Sequence, residues 1–206
     1  MHGVGEWRQD LRRFFSQNQR LLWLLGLFLS GAALGCLVFR AACEPLGEAL
    51  APLLTPAPPV PGLSGLLRRV GTACFSTMTL LAVMFLSGLS VCGAPVALAV
   101  LLFFGMGLGV SEAYYFAQGA WGVGYTALLL LPPALPSAAA LLMACAESVR
   151  LSFLLCRQVL PRQGSCGGLW PHFRLYLARF LICAAILFVA GVLDSALKAC
   201  FMRYFV

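Results

Sequence analysis

Long runs of apolar residues without a charged side chain are the feature that most limits what this chain can fold into. The first run, residues 21–39, is long enough to cross a bilayer, which takes about 20 helical residues. Over the whole chain 61% of residues are hydrophobic and only 10% are charged, whereas a soluble domain carries about 25% charged residues. Such a composition would expose large apolar patches to water. The sequence therefore predicts a helical membrane protein.

The pattern of apolar runs predicts an all-α polytopic membrane protein with about five transmembrane helices. The spans form a single domain, residues 21–206, after a basic amphipathic segment at residues 1–20 that is predicted to lie on the membrane surface. A proline-rich loop, residues 40–70, separates the first two spans, and a basic loop, residues 158–178, separates the last two. The predicted spans are residues 21–39, 72–90, 96–117, 134–157 and 179–201.

Two consecutive prolines interrupt the fourth apolar run. Pro132 and Pro133 lack a backbone N–H, and a proline ring inside a helix clashes with the carbonyl of the preceding turn. A half-helix from residue 122 followed by a full helix fits this pattern, because broken helices occur where the backbone faces protein or water. A single kinked span fits it equally well. In both arrangements we predict a helix that is broken at Pro132-Pro133.

The distribution of basic residues predicts the orientation in a bacterial cell membrane. Cytoplasmic flanks of membrane spans are enriched in Arg and Lys. With the N-terminus inside, eight basic residues flank the spans on the cytoplasmic side and five on the other, which favours a cytoplasmic N-terminus and an external C-terminus. The eight are Arg8, Arg12, Arg13, Arg20, Arg157, Arg162, Arg174 and Arg179, and the five are Arg40, Arg68, Arg69, Lys198 and Arg203.

Three acidic residues lie in or beside the apolar runs, where a charge at the helix centre costs about 2.5–3.5 kcal/mol. Glu112 has no basic residue three or four positions away, so it is expected to face the bundle, a water cavity or another subunit. Glu147 is expected to pair with Arg150, three residues later, and Asp194 with Lys198, four residues later. Contact with a partner protein is the alternative role of these two pairs.

Small residues recur at every fourth position in two of the spans and allow close approach of helices. Packing within one chain is favoured over contact between two copies. The nine cysteines contain no CxxC pair, and most of them lie in apolar runs, which indicates unpaired packing residues. The two stripes are Gly105, Gly109 and Ala113 in the third span and Gly191, Ser195 and Ala199 in the fifth.

The sequence predicts no catalytic site, cofactor or metal site. It contains no HExxH, GxSxG or P-loop motif. His2 and His172 are isolated residues outside the predicted spans, and no cysteine stands near them at metal-ligand spacing. The arginines flank apolar runs and form no long cluster, so we predict contact with membrane lipid and no nucleic-acid binding.

The order of the glycine and proline motifs resembles that of a known family. Residues 24–35 are leucine-rich and end in a glycine pair, residues 88–95 read Gly-Leu-Ser-x-x-Gly-x-Pro, residues 101–109 form a glycine-rich helix, and a leucine-rich run then breaks at Pro132-Pro133. Nearly the whole chain resembles the stage II sporulation protein M family of spore-forming bacteria. The family consists of five-span proteins of the mother-cell membrane, and its role implies a scaffold without catalytic residues.

The resemblance implies two partners, the peptidoglycan-degrading stage II sporulation proteins D and P. The first hypothesis is therefore a scaffold that localises wall hydrolases for septal thinning and engulfment during sporulation, with residues 41–67 as the expected contact surface. The alternative is a small transporter or channel that uses the broken helix and an intramembrane acid. Candidate functional or partner contacts are Glu112, Glu147, Arg150, Asp194, Pro132 and Pro133.

Overall fold

A computed structural model of the chain describes residues 19–41, 63–159 and 169–205, and every regular element in these ranges is helical. The amphipathic segment predicted at residues 1–20 lies outside the described residues up to residue 18, as do residues 42–62 and 160–168 of the two long loops. The elements are α1 (Gln19–Ala41), α2 (Leu63–Gly88), α3 (Ala94–Ala117), α4 (Ala120–Tyr125), a π-helical segment (Thr126–Leu130), α5 (Leu131–Val159) and α6 (Leu169–Phe205).

Five helical segments are long and apolar enough to cross a membrane, which confirms the predicted number of spans. The first three begin and end within two residues of their predicted bounds. The fourth begins at Ala120 and the fifth at Phe173, earlier than predicted. Helix α6 begins at Leu169, before Arg174 and Arg179, which precede the apolar run. Pro171 lies in its first turn, where the missing N–H would have no helical partner. The segments are Leu21–Ala41, Val70–Gly88, Ala94–Ala117, Ala120–Cys156 and Phe173–Phe201.

The outer surface of the bundle is apolar, as a lipid environment requires. Phe75 is 77% exposed and Val189 is 64% exposed. Inside, Met84, Leu101 and Leu141 are fully buried between the helices. Lipid tails are as apolar as these side chains, so the helices associate through close packing and hydrogen bonds.

Helices α1 and α3 pack through glycines on both sides of their contact. A Cβ atom added at Gly31 would lie 2.5 Å from the Leu102 carbonyl oxygen, and one added at Gly105 would lie 2.5 Å from that of Phe28. Gly109 lies still closer to the backbone of α1. Real Cβ atoms do not approach backbone this closely, so only glycine permits the contact. The prediction that the stripe in the third span serves packing within one chain is confirmed.

The turn between α2 and α3 is tight and depends on one glycine. Helix α2 ends at Gly88, and Gly93 is the N-cap of α3, with Pro95 in its first turn. A Cβ atom at Gly93 would clash with the Ser87 carbonyl group. The turn is closed by the Ser90 N–H, which donates to the Ser87 carbonyl at 3.0 Å. Helices α2 and α3 therefore form a tight helical hairpin.

The interruption predicted at Pro132-Pro133 is a π-helical segment that directly precedes the two prolines. The Leu131 N–H donates to the Thr126 carbonyl, five residues back, so the backbone stays helical through Thr126–Leu130. A π turn is wider than an α turn, and it accommodates the proline rings that would clash in a regular helix. The predicted break is thus a local widening within one continuous helical segment, rather than a gap between two helices.

Contacts at two levels show how α2 and α5 are aligned. Met84 contacts Ser148, and Ser90, just beyond α2, contacts Ser152 farther along α5, so the two helices are parallel. The turn between α2 and α3 therefore lies at the same end of the bundle as the C-terminal part of α5. We call it the hairpin end.

Helices α2 and α6 are antiparallel. Phe85 contacts Tyr176 near the hairpin end, and Cys74 meets Gly191 toward the other end, where an added Cβ would lie 2.5 Å from the Cys74 sulfur. The N-terminal part of α6 therefore joins the hairpin end. Helices α2, α5 and α6 place polar side chains together there, beside the turn.

Candidate functional site

Polar side chains from three helices converge at the hairpin end and form the most connected polar group among the described residues. They combine buried hydroxyl groups with one ion pair, and their partners come from neighbouring helices or from the turn. We call this group the hairpin-end cluster; its members are Ser87, Glu147, Ser148, Ser152, Tyr176 and Arg179.

Two buried serines join α2 to α5. The Ser148 hydroxyl is fully buried and donates to the Met84 carbonyl at 2.9 Å. The Ser87 hydroxyl donates to the same carbonyl at 2.9 Å and lies 3.2 Å from the Ser148 hydroxyl oxygen. Both hydroxyl groups therefore meet at one carbonyl oxygen of α2. The contact fixes the end of α2 on α5.

Ser152, one turn farther along α5, binds the turn between α2 and α3. Its hydroxyl lies 2.9 Å from the Ser90 carbonyl oxygen and 3.1 Å from that of Val91. Carbonyl groups beyond a helix end have no intrahelical donor. Ser152 supplies that donor and holds the hairpin turn against α5.

Tyr176 joins α6 to α2 by a hydrogen bond and an aromatic contact. Its hydroxyl donates to the Phe85 carbonyl at 3.0 Å, and the two rings lie 5.3 Å apart. A Cβ atom at Gly88 would clash with the Tyr176 hydroxyl and would lie 2.9 Å from the Ser148 hydroxyl. The glycine at the end of α2 thus leaves room for both hydroxyl groups.

Glu147 pairs with Arg179 of α6, instead of with Arg150 as predicted. Both partly buried side chains reach across the contact between α5 and α6, and the pair satisfies a carboxylate that would be costly to leave alone near the membrane interior. Arg150 is exposed. Glu147 and Arg150 instead line one surface cleft between α5 and α6.

The other predicted site residues lie away from this cluster. Asp194 and Lys198 form the predicted pair on α6, with 2.8 Å between the Lys198 Nζ and the Asp194 Oδ2. Glu112 is half-buried on α3 and makes no hydrogen bond or ion pair with the described residues. Pro132 and Pro133 begin α5, half-buried and buried respectively. The structure therefore does not bring the six candidates together.

Sequence reasoning missed the hydroxyl groups of the cluster. Ser148 and Ser152 are four residues apart, and Cys145 lies three residues before the first of them. The Cys145 thiol also contacts another helix, 3.6 Å from the Ala97 carbonyl oxygen. Polar residues at this spacing share one helix face, and this signal would have predicted a polar contact along α5.

The polar groups of the cluster serve to hold helices together. Its hydroxyl groups hydrogen-bond to backbone carbonyls, and its carboxylate is neutralised by a guanidinium group. Within residues 19–41, 63–159 and 169–205, no group of three or more His, Cys, Asp or Glu side chains could hold a metal ion. The arrangement holds helices in a defined register.

Replacing Ser148 by alanine is expected to lower the free energy of unfolding by about 0.6 kcal/mol, the average for hydrogen bonds between membrane helices, and by no more than about 1.7 kcal/mol, the largest value measured. The reason is the loss of the contact with the Met84 carbonyl. Ser76→Ala is the matched control, because the Ser76 hydroxyl is exposed and bonds only within α2, to the Ala73 carbonyl. Unfolding by sodium dodecyl sulfate, followed by tryptophan fluorescence, compares them; equal effects would contradict a role in joining helices.

Comparison of the chain with protein-family models, with curated proteins and with solved structures finds no match in any of the three.

Proposed function

We propose that this chain is a non-enzymatic membrane scaffold that anchors peptidoglycan-degrading partners in a bacterial cell membrane. The role is septal wall remodelling and engulfment during sporulation. The resemblance of the glycine and proline motifs to the stage II sporulation protein M family supports this partner class, the stage II sporulation proteins D and P. The architecture of the bundle supports the scaffold role.

The observation that carries the proposal is how the bundle uses its buried polar groups. In the described part of the chain, every buried side-chain nitrogen or oxygen has a hydrogen-bond partner. At the hairpin end Ser148, Ser152 and Tyr176 bond to carbonyl groups of another helix or of the turn, so the spans are joined in one register. Such a bundle holds the ends of its helices at fixed positions. Anchoring two partners there raises their effective concentration without any catalytic group.

The proposed orientation places the N-terminus in the cytoplasm and the C-terminus outside, as the count of flanking basic residues favours. The loop before α2 then faces the cell wall. Residues 42–62 of the expected contact surface lie outside the described residues, and residues 63–67 begin α2. The loop between α5 and α6, residues 160–168, then faces the cytoplasm.

The expected result of a mild-detergent pull-down from starved host cells is recovery of the D and P proteins above an unrelated membrane control, read by mass spectrometry. Replacing residues 45–61 by a glycine–serine linker of equal length is expected to abolish that recovery, because it removes the external contact surface. The same replacement of residues 160–168 is the matched control and is expected to leave recovery unchanged.

Clean recovery of the chain without any wall hydrolase would sink the sporulation assignment. The alternative of a small transporter or channel draws on Glu112, a half-buried carboxylate in the third span that has no hydrogen bond or ion pair with described residues. Glu112→Gln separates the two functions. A scaffold still recovers its partners in this variant. A proton-coupled transporter loses transport in this variant, and its transport does not depend on the external loop.

A further inference from the structure

Two backbone carbonyl groups just before Pro132 and Pro133 have no hydrogen-bond donor in their own helix. The carbonyl of Leu128 would accept the N–H of residue 132 in an α-helix and that of residue 133 in a π-helix, but proline has no N–H. The carbonyl of Ala127 would accept from Leu131 or from residue 132, and the Leu131 N–H donates to the preceding carbonyl instead. The fourth span therefore contains two consecutive carbonyls that its own backbone cannot satisfy.

These two residues lie on the outer surface of the bundle. Leu128 is 53% exposed, and Ala127 is exposed beside it. Lipid tails supply no hydrogen-bond donor, so a carbonyl that lacks a helical donor costs free energy there, and contact with water would remove this cost. Helix α4 begins soon after α3 ends at Ala117, at the end of the bundle opposite the hairpin end. Water at that membrane surface is therefore close to the start of the segment.

Contacts on the inner face hold this part of the span against α3. We call residues 120–130, which comprise α4 and the π-helical segment, the α4–π segment. Tyr125 and Leu129 are buried in it and form one apolar cluster with Tyr115 of α3. The rings of Tyr115 and Tyr125 lie 4.5 Å apart. Gly122 packs directly on the Tyr115 backbone, where an added Cβ would clash. Packing on Tyr115 therefore maintains the observed position.

Both ends of the α4–π segment permit a change in backbone direction. At its start, Gly119 has a φ of 81°, a region that is open to glycine and rarely adopted by other residues. At its end, a π turn precedes two prolines, and sharp bends in helices occur at both features. Farther along, α5 is fixed to α2 through Ser148. The segment thus has a flexible joint at each end and lies between two helices that the bundle holds.

We propose that the α4–π segment is a conformational element that opens between these two joints. In the closed state, which the structure shows, Tyr125 and Leu129 pack on Tyr115. In the open state the π turn unwinds, both side chains leave α3, and the carbonyls of Ala127 and Leu128 bind water. The released side chains still meet an apolar solvent in the bilayer, so opening sacrifices packing but little hydrophobic free energy. The element acts independently of the partner that the scaffold carries.

Hydrogen exchange of the purified full chain in lipid nanodiscs, read by mass spectrometry, tests this proposal. Residues 120–131 are expected to exchange at least about tenfold faster than residues 106–117, the adjoining part of α3 at the same depth, because local opening exposes amides that a stable helix protects. Pro132→Ala supplies an N–H to the Leu128 carbonyl and is expected to slow exchange of residues 120–131 about tenfold, the effect of one hydrogen bond. Leu129→Ala weakens the closed state and is expected to accelerate exchange there.

Pro95→Ala is the matched control, because Pro95 lies in the first turn of α3, where an added N–H gains no helical acceptor. It is expected to leave exchange of residues 120–131 unchanged. Equal exchange of residues 120–131 and 106–117 in the wild type would overturn the proposal, even if Pro132→Ala does not fold. An unchanged rate in a folded Pro132→Ala variant would overturn it as well, as would uniform acceleration of all spans by Leu129→Ala.

Discussion

Replacing Gly109 by leucine is expected to lower the free energy of unfolding by about 3 kcal/mol or more, the upper end of the range for overpacked sites. An added Cβ would clash with the carbonyl oxygen, the carbonyl carbon and the Cα of Ala32 on α1. Backbone atoms cannot move aside as a flexible side chain can, so α1 must separate from α3. The measurement is the unfolding free energy in detergent, together with the folded fraction from gel filtration.

Gly107→Leu is the matched control for this substitution. Gly107 lies in the same helix, and a Cβ added there would have no atom of another helix within 4 Å. Its replacement is expected to stabilise the helix by up to about 1 kcal/mol, because glycine is a poor helix former. A comparable loss in both variants would mean that leucine in this span is harmful for some other reason, and the proposed α1–α3 contact would be wrong.

Breaking the ion pair between α5 and α6 is the second large effect that we expect. Glu147→Gln should lower the free energy of unfolding by about 2 kcal/mol, between about 0–1 kcal/mol for an exposed pair and about 3–5 kcal/mol for a buried one. The intermediate value reflects side chains that are 23% and 39% exposed. A double-mutant cycle with Arg179→Gln measures the coupling between the two residues.

The pair of Asp194 and Lys198 is the control for this cycle. Both residues lie on α6, four positions apart, so the pair is available whenever that helix forms. Membrane helices persist when the bundle separates, and a pair within one helix therefore adds only about 0.2–0.5 kcal/mol. A coupling between Glu147 and Arg179 no larger than this would show that the pair does not join α5 to α6.

Properties that depend on neighbours along the chain were predictable. Each span needs an uninterrupted apolar run, so composition over about 20 residues located five of them. The pair of Asp194 and Lys198 follows from their separation by one helical turn. The glycine spacing predicted close packing, and the structure identified α1 as the helix that packs against Gly105 and Gly109. The interruption near Pro132 followed from the absent N–H groups.

The tertiary structure alone decided which groups meet across helices. Arg150 and Arg179 were both available to Glu147, and the local rule favoured the nearer one along the chain. The structure places the partner 32 residues away, because the antiparallel packing of α5 and α6 brings that guanidinium group to the carboxylate. The donors to the α2 carbonyls likewise lie 64 and 91 residues away.

The amino-acid sequence by itself determined a five-span helical membrane protein, since apolar length and helix periodicity are local. The hairpin-end cluster depended on the packing of whole helices, since its hydrogen bonds join residues whose separation along the chain predicts nothing about their distance in space.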